Sequence, residues 1–431
     1  MEPILVIGTD AAGVDGLPAG LQDQLLAADL VALPQRLLPQ LSQWFSVRQL
    51  HPELVSSDQP AALLERLQAA RTAQEQEQQR VVVLASGDPL WFGIGRLLLE
   101  RFGPEGLSFH PAPSSLQLAF ARIGRPWQDA GWISLHGRDP EPLAARLQQR
   151  PPALAVLTDP QRGGAAAVRR LLQASGLQAA YELWLCERLG HPRERVQPLA
   201  PDQPLPADLD PLHLVVLIAR EPALPPGGAE QLPLFGIDDG LWLQHADRPG
   251  LMTKREVRIQ LLAELRLPAA GVLWDIGAGV GSVGIEALRL RPALQLWALE
   301  QRGGGAAVIR ANAQRFGVAH SLAAGGVLQG RAPEALAQLP DPDRVLIGGG
   351  GTGRAAIAEL VAARLRPGGV VVMPLATLEA LAELRPLLEA AGLRVNVGQI
   401  QAWRGAALAE GTRLAPLNPV LLLSAQKPAA G

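Results

Sequence analysis

The stretch "LWDIGAGVGSVGIE", residues 273–286, spaces its glycines so that the backbone itself can do chemistry. An apolar run ends at Asp275, then Gly277, Gly279 and Gly281 alternate with other residues before a helical pattern resumes. Glycine reaches positive φ and carries no side chain, so a ligand can approach the N-terminus of the following helix. Gly279, Gly281 and Gly284 also satisfy G-x-G-x-x-G, so the spacing leaves the choice of nucleotide-type cofactor open. Glu300 ends the next apolar run, where a ribose diol needs an acceptor. Asp275 stands two residues before the first glycine, where it can meet an ammonium group. That tilts the reading toward S-adenosyl-L-methionine; a turn or helix-capping carboxylate is the plainer alternative.

Ahead of this turn, "LMTKREVRIQLLAEL" reads as a helix with Thr253 as N-cap and Glu256 as its capping-box partner. Lys254 and Arg255 do not fit that explanation, because cations in a first turn oppose the helix dipole. They are candidates for gripping an anionic substrate, as is Arg354, which follows the glycines of "IGGGGTGR" at the end of another apolar run. Arg255 is also a catalytic candidate. The first half has its own candidate in "VVVLASGDPLWFGIG", where Ser86, Gly87 and Asp88 end an apolar run. Locally Asp88 reads as a helix N-cap with Pro89 at the first helical position. Ser114 and Ser115 in "HPAPSSLQLAF" enter another helix, and His136 in "SLHGR" is a candidate acid or base by position alone.

These residues need rigid elements behind them. Apolar runs alternate with helical patterns at 4–8, 29–33, 81–86, 132–137, 153–159, 181–186 and 212–220, and again at 271–277, 294–300, 343–349, 368–376, 393–403 and 418–426. Continuous apolar strands of this kind are buried on both faces, as in α/β sheets. No helical pattern separates the last two, which are expected to pair antiparallel at a sheet edge. A chain of 431 residues exceeds what one core normally supports, so two domains are expected, 1–220 and 241–431, with the Pro/Gly-rich stretch 221–240 as linker.

At 48% apolar and 19% charged residues the composition is that of a compact protein, and no run reaches the roughly 18 apolar residues of a membrane span. The start "MEPILVIG" runs straight into a strand, and the single cysteine, Cys186, excludes an internal disulfide or a cysteine metal cluster. A cytoplasmic protein with no membrane partner is expected. A net charge of −2 gives no basis for a nucleic-acid partner. Of 39 basic residues only Lys254 and Lys427 are lysines. Arginine forks suit polyanionic small molecules, although codon bias explains most of the excess.

Taken together, "SGDPLWFGIG", "PAPSSLQLAFARIGRPWQDA", "SLHGR" and "VLTD" resemble the tetrapyrrole methylases of corrin biosynthesis, in their C5-methylating branch. "LPLFGIDDGLW", "RPGLMTKREVR", "LWDIGAGVGSVGIEA", "RAPEAL" and "LNPVLLLSAQ" resemble the decarboxylating C15-methyltransferases of the same pathway. Joined in this order over nearly the whole chain, they resemble the precorrin-6Y C5,15-methyltransferase (decarboxylating) family. The resemblance implies a two-subdomain tetrapyrrole methylase fold with a cleft, followed by a Rossmann-like class I methyltransferase fold. It implies two S-adenosyl-L-methionine sites acting on one precorrin or cobalt-precorrin macrocycle, no resident metal, and a homo-oligomer. By position it carries Thr253, Gly277, Gly279, Gly281, Glu300 and Ala332 to the second cofactor site, and Gly8, Ser86, Gly87, Asp88, Ser114 and Ser115 to the first. The chain departs from the family's pattern at Asp10, in place of a glycine, and at Leu33 and Leu37, in place of Gly and His. Two readings compete: an NAD-dependent oxidoreductase, or an active second half whose first half only binds substrate.

Overall fold

The computed structural model describes residues 2–429 other than 11, 78, 92, 136–140, 201–202, 323, 350 and 409–410. The chain divides into two compact units, residues 1–134, 153–160 and 183–217 in one, and residues 135–152, 161–182 and 218–431 in the other. The second unit takes in the helices Glu141–Gln148 and Gly164–Ala174.

The first unit holds a sheet of β1 (Ile4–Thr9), β2 (Leu30–Leu33), β3 (Glu53–Ser56), β4 (Val81–Ser86) and β5 (Leu107–His110), all parallel, in the order β3-β2-β4-β1-β5. Side chains alternate across it: Val81 and Val83 join Ile4 and Val6 in one core, Val82 and Leu84 join Ile7 and Val31 in the other. Both faces are therefore covered, which is why the strand reads as an unbroken apolar run. Leu33 and Leu37 belong to the second of these cores. Another sheet contains β6 (Ala130–Ser134), β7 (Ala153–Leu157), β8 (Tyr181–Glu187), β9 (Arg195–Leu199) and β10 (His213–Ala219), ordered β6-β7-β10-β8-β9. The short β3, β5 and β9 were not expected from the sequence; β3 has no fully buried residue and β9 only Leu199, so their apolar pattern is faint.

The second unit is built on β11 (Ala270–Ile276), β12 (Ala293–Glu300), β13 (Gly326–Gln329), β14 (Arg344–Ile347), β15 (Val370–Leu375), β16 (Arg394–Ile400) and β19 (Val420–Gln426), with the hairpin β17 (Trp403–Leu408) and β18 (Gly411–Pro416) standing apart. The order β13-β12-β11-β14-β15-β19-β16 is parallel through β15, and β19 runs antiparallel to both β15 and β16. The expected antiparallel pairing of the last two runs is present, from Arg394 opposite Gln426 to Ile400 opposite Val420. Residues 221–240 are not simply a connector. Ile237 is fully buried in the core of this unit beside Trp242, and Asp239 is 3% exposed. Among the described residues no helix is long and apolar enough to cross a membrane, and no His/Cys/Asp/Glu group could hold a metal.

Candidate active site

The strand order reverses between β11 and β14, which pair as far as Ile276 opposite Ile347. Ligands of open α/β sheets bind outside the carboxyl ends of the strands at such a switch point. A cavity of about 950 Å³ lies there, lined by Thr253, Lys254, Gly277, Gly279, Glu300 and Ala332 among others. All three glycines of the turn have positive φ: Gly277 at 73°, Gly279 at 58° and Gly281 at 79°. Their roles differ. A Cβ on Gly277 would lie 2.9 Å from Gly349 N, and one on Gly281 would lie 3.0 Å from the Ile309 side chain, so these two allow close packing. A Cβ on Gly279 would meet nothing nearer than Leu251 O at 3.9 Å, so this glycine opens into the cavity.

The turn spends most of its donors on the protein. Gly277 N–H and Ala278 N–H both donate to Leu299 O, at 2.8 and 3.0 Å. Gly279 N–H donates to Glu300 Oε2 at 2.8 Å, and the other carboxylate oxygen accepts from Arg302 N–H at 2.8 Å. The Glu300 carboxylate is thus locked at the cavity wall, with lone pairs left for hydroxyl donors. His245, 3% exposed, steadies the same loop from the other side, with Nε2 3.2 Å from Gly279 O. Because a carbonyl only accepts, Nε2 carries the proton. His245 lines the cavity, yet nothing in the local sequence announces it; its partner is 34 positions away.

Asp275 does not face the cavity. It is 2% exposed, and its Oδ2 turns back to accept Gly284 N–H at 3.1 Å beneath the helix Ser282–Leu290. The expectation of an ammonium partner there is corrected in favour of a carboxylate that ties strand to helix. Burial pushes its carboxyl up to about 7, with Glu300 adding repulsion against the bond from Gly284. The folded chain therefore keeps a proton that the unfolded chain releases in the ordinary carboxylate range near pH 4. This contribution to stability is full below that range and is lost as pH rises to about 7. Asp275→Asn should flatten the decline in thermal stability between about pH 4 and about pH 7; an unchanged slope in melting curves against pH would assign the proton elsewhere.

The basic candidates separate. Lys254, not Thr253, is the N-cap of the helix Arg255–Glu264, and no side chain caps it. Thr253 keeps a place on the cavity wall while its carbonyl accepts from Arg258 at 2.8 Å. Glu256 is drawn away from capping by Arg404 of β17, which forks onto both its oxygens at 2.8 and 2.7 Å. Arg255 donates to Gly236 O at 2.6 Å and lies 3.8 Å from Asp238, so it braces the preceding segment rather than entering the cavity. Arg354 pairs with Glu383 at 2.6 Å, again away from the cavity lining. Lys254 does line the cavity, with Nζ donating to Gly250 O at 3.0 Å.

In the first unit, Gly8, Gly87 and Ser114 converge where β1, β4 and β5 end. A Cβ on Gly8 would sit 2.0 Å from Gly87 O and 2.5 Å from Ala112 N, so only glycine lets these loops close. Ser114 caps the helix Ser115–Ile123 through a full capping box with Gln117, and Ser115 is the helix's first residue. Asp88 is not a helix cap: its Oδ1 accepts Leu90 N–H at 2.9 Å in a tight turn, and the helix starts at Gly95. Arg36, missed in the sequence, reaches Ser86 Oγ at 2.8 Å from 50 positions away. Asp10, where a glycine was expected, accepts Ala12 N–H at 2.9 Å and packs against Gly190. His136 lies outside the described residues.

Residues 3–200 match the tetrapyrrole (corrin/porphyrin) methylases, and residues 245–427 match the precorrin methyltransferase domain. The chain is 38% identical to the precorrin-6Y C5,15-methyltransferase (decarboxylating) of Sinorhizobium sp over 68% of its own length and 67% of that protein. It is 28% identical to the protein of that name from Mycobacterium tuberculosis over 98% and 100% of the two chains. A crystal structure of a precorrin-6Y C5,15-methyltransferase from Geobacter metallireducens matches 46% of this chain and 100% of its own, at 38% identity and TM-score 0.42. With the two family matches falling in the two halves, and the Sinorhizobium relative 38% identical over two thirds of its length, the chain is a methyltransferase and belongs to the decarboxylating precorrin-6Y C5,15-methyltransferase family.

Proposed function

We propose that this chain carries out two S-adenosyl-L-methionine-dependent methylations of a precorrin or cobalt-precorrin macrocycle, at C5 by the first half and at C15 by the second, with loss of an acetate arm's carboxyl as carbon dioxide. The observation that carries the reading for the second half is the turn at Gly279, open to a cavity whose wall presents the locked Glu300 carboxylate. Glu300 suits a ribose diol. It also takes up the Gly279 N–H that a dinucleotide pyrophosphate would need, which favours the sulfonium cofactor over NAD. In the first half, Gly8, Ser86, Gly87, Asp88, Ser114 and Ser115 are proposed to line the other cofactor site.

When bound, the cofactor supplies an electrophilic methyl group. The chain's own work is to position: His245 fixes the Gly279 carbonyl, Glu300 orients hydroxyls, and Thr253 and Ala332 help shape the cavity. Orientation in a dry pocket contributes several kcal/mol to such a reaction without covalent catalysis. A cytoplasmic setting is part of the same reading.

Calorimetric titration of the full chain with S-adenosylhomocysteine should give two sites per chain, and NAD should give no heat. A stoichiometry of one would make the first half a substrate-holding module, and NAD binding in place of S-adenosylhomocysteine would overturn the reading.

A further inference from the structure

Beside the glycine-turn cavity lies a second cavity of about 400 Å³, and both are lined by Gln148, Lys254, Leu417 and Asn418. Its remaining wall includes Ala145, Gln149, Ser175 and Arg404. Gln148 and Ser175 come from the stretches 135–152 and 161–182, which match the tetrapyrrole methylases yet belong to the second unit.

Two cations border this space, and they are in different states. Arg404 makes four bonds, with Glu256 taking Nε and one terminal nitrogen, Asp239 sharing that nitrogen at 3.0 Å, and Ser175 O taking the other at 2.9 Å. Lys254 has one bond, to Gly250 O at 3.0 Å, so two of its three donors have no protein acceptor among the described residues. The nearby carboxylates are already committed, Asp239 to Arg258 and Arg404, Glu256 to Arg404. A half-buried ammonium without a counter-charge is costly unless an anion arrives.

We infer that the smaller cavity seats a carboxylate-bearing arm of the substrate, with Lys254 as its cation and the amides of Gln148, Gln149 and Asn418 around it. This rests on the proposed methylation of a polycarboxylate macrocycle, and it identifies where that macrocycle is gripped. Lys254 stands on the wall common to both cavities, so an arm held there brings the ring edge to the mouth of the cofactor cavity. Consistent with an unneutralised site, burial holds the Lys254 ammonium down to about 8, Arg150 and Arg404 push the same way, and Asp239 and Glu256 oppose them.

In the full chain, Lys254→Gln should raise the KM for a precorrin-6B-type substrate about tenfold or more, the loss expected for one charge-assisted contact. Affinity for S-adenosylhomocysteine should stay within about twofold, because the groups proposed to hold that ligand, the glycine turn and the Glu300 carboxylate, make no bond to the Lys254 ammonium. Lys254→Arg should restore most of the loss. Ala145→Trp, at an exposed rim position, should raise KM by filling the cavity without touching the charge. Wild-type KM should climb above about pH 8, and the Lys254→Gln profile should be flat there. Wild-type KM in both Lys254→Gln and Ala145→Trp would overturn the assignment while leaving the methyltransferase reading intact. A wild-type chain that binds S-adenosylhomocysteine but never turns over the macrocycle would remove the reading on which it rests.

Discussion

Arg258→Ala should lower the unfolding free energy of the second unit by about 3–5 kcal/mol, the cost of stripping one partner from a buried ion pair. Arg258 and Glu286 are both 0% exposed, and Nε lies 2.8 Å from Glu286 Oε1. The same guanidinium reaches Asp239 at 3.3 Å, donates to the carbonyls of Thr253 and Ile237, and lies 5.2 Å from the Trp242 ring. Glu286 in turn accepts the N–H groups of Gly236 and Ile237 at 2.8 and 2.9 Å. Removing the arginine leaves the buried Glu286 carboxylate without a cation, takes one of two from Asp239, which keeps Arg404, and loosens the segment ahead of the cofactor cavity. Urea melts should show a lower midpoint with an unchanged slope. A loss below about 1 kcal/mol would mean that solvent reaches this cluster. Arg258→Met with Glu286→Gln should recover part of the loss, since a buried pair replaced by neutral groups of similar volume is often nearly neutral.

Gly279→Val should weaken S-adenosylhomocysteine binding by about a hundredfold, roughly 2.7 kcal/mol. At φ 58° with open cavity in front of it, a branched side chain at this position both strains the backbone and projects into the space assigned to the cofactor. Gly277→Ala provides the contrast, because its Cβ would press on Gly349 backbone and the damage should register first as lost stability. Calorimetry and melting curves on the two variants separate ligand space from packing space. Full binding by folded Gly279→Val would move the cofactor away from this turn.

How much of this was legible in the sequence depended on the range of the interaction. The glycine turn, Glu300 and the alternation of Val81 to Leu84 are local patterns, and a strand buried on both faces writes itself as an apolar run. Thr253 looked like a cap because its neighbours in sequence fit a capping box; the decisive partner of Glu256 is Arg404, 148 positions away. Asp88 looked like a helix start because Pro89 follows it, but the chain makes a turn first and enters its helix at Gly95. Asp275 showed its spacing and hid its direction, which is set by Gly284. Lys254 and Arg255 were equal in sequence. Only the positions of Gly236 and Asp238 divert Arg255 and leave Lys254 at the cavity wall. The hairpin β17–β18 was hard to read because its large apolar side chains, Trp403 and Leu414, are exposed at 52% and 69%, while the buried position of β18 is the small Ala415.

One chain is proposed to hold two separable methyl-transfer sites, the second coupled to decarboxylation. Product mass after incubation with a precorrin-6B-type macrocycle, with and without cobalt, tests it most directly. The wild-type chain should add two methyl groups and release one carbon dioxide, while Gly279→Val should add a single methyl group and keep the carboxyl. A wild-type product that retains its carboxyl, or a Gly279→Val chain that still gives the doubly methylated, decarboxylated product, would rule out two separable sites of this kind.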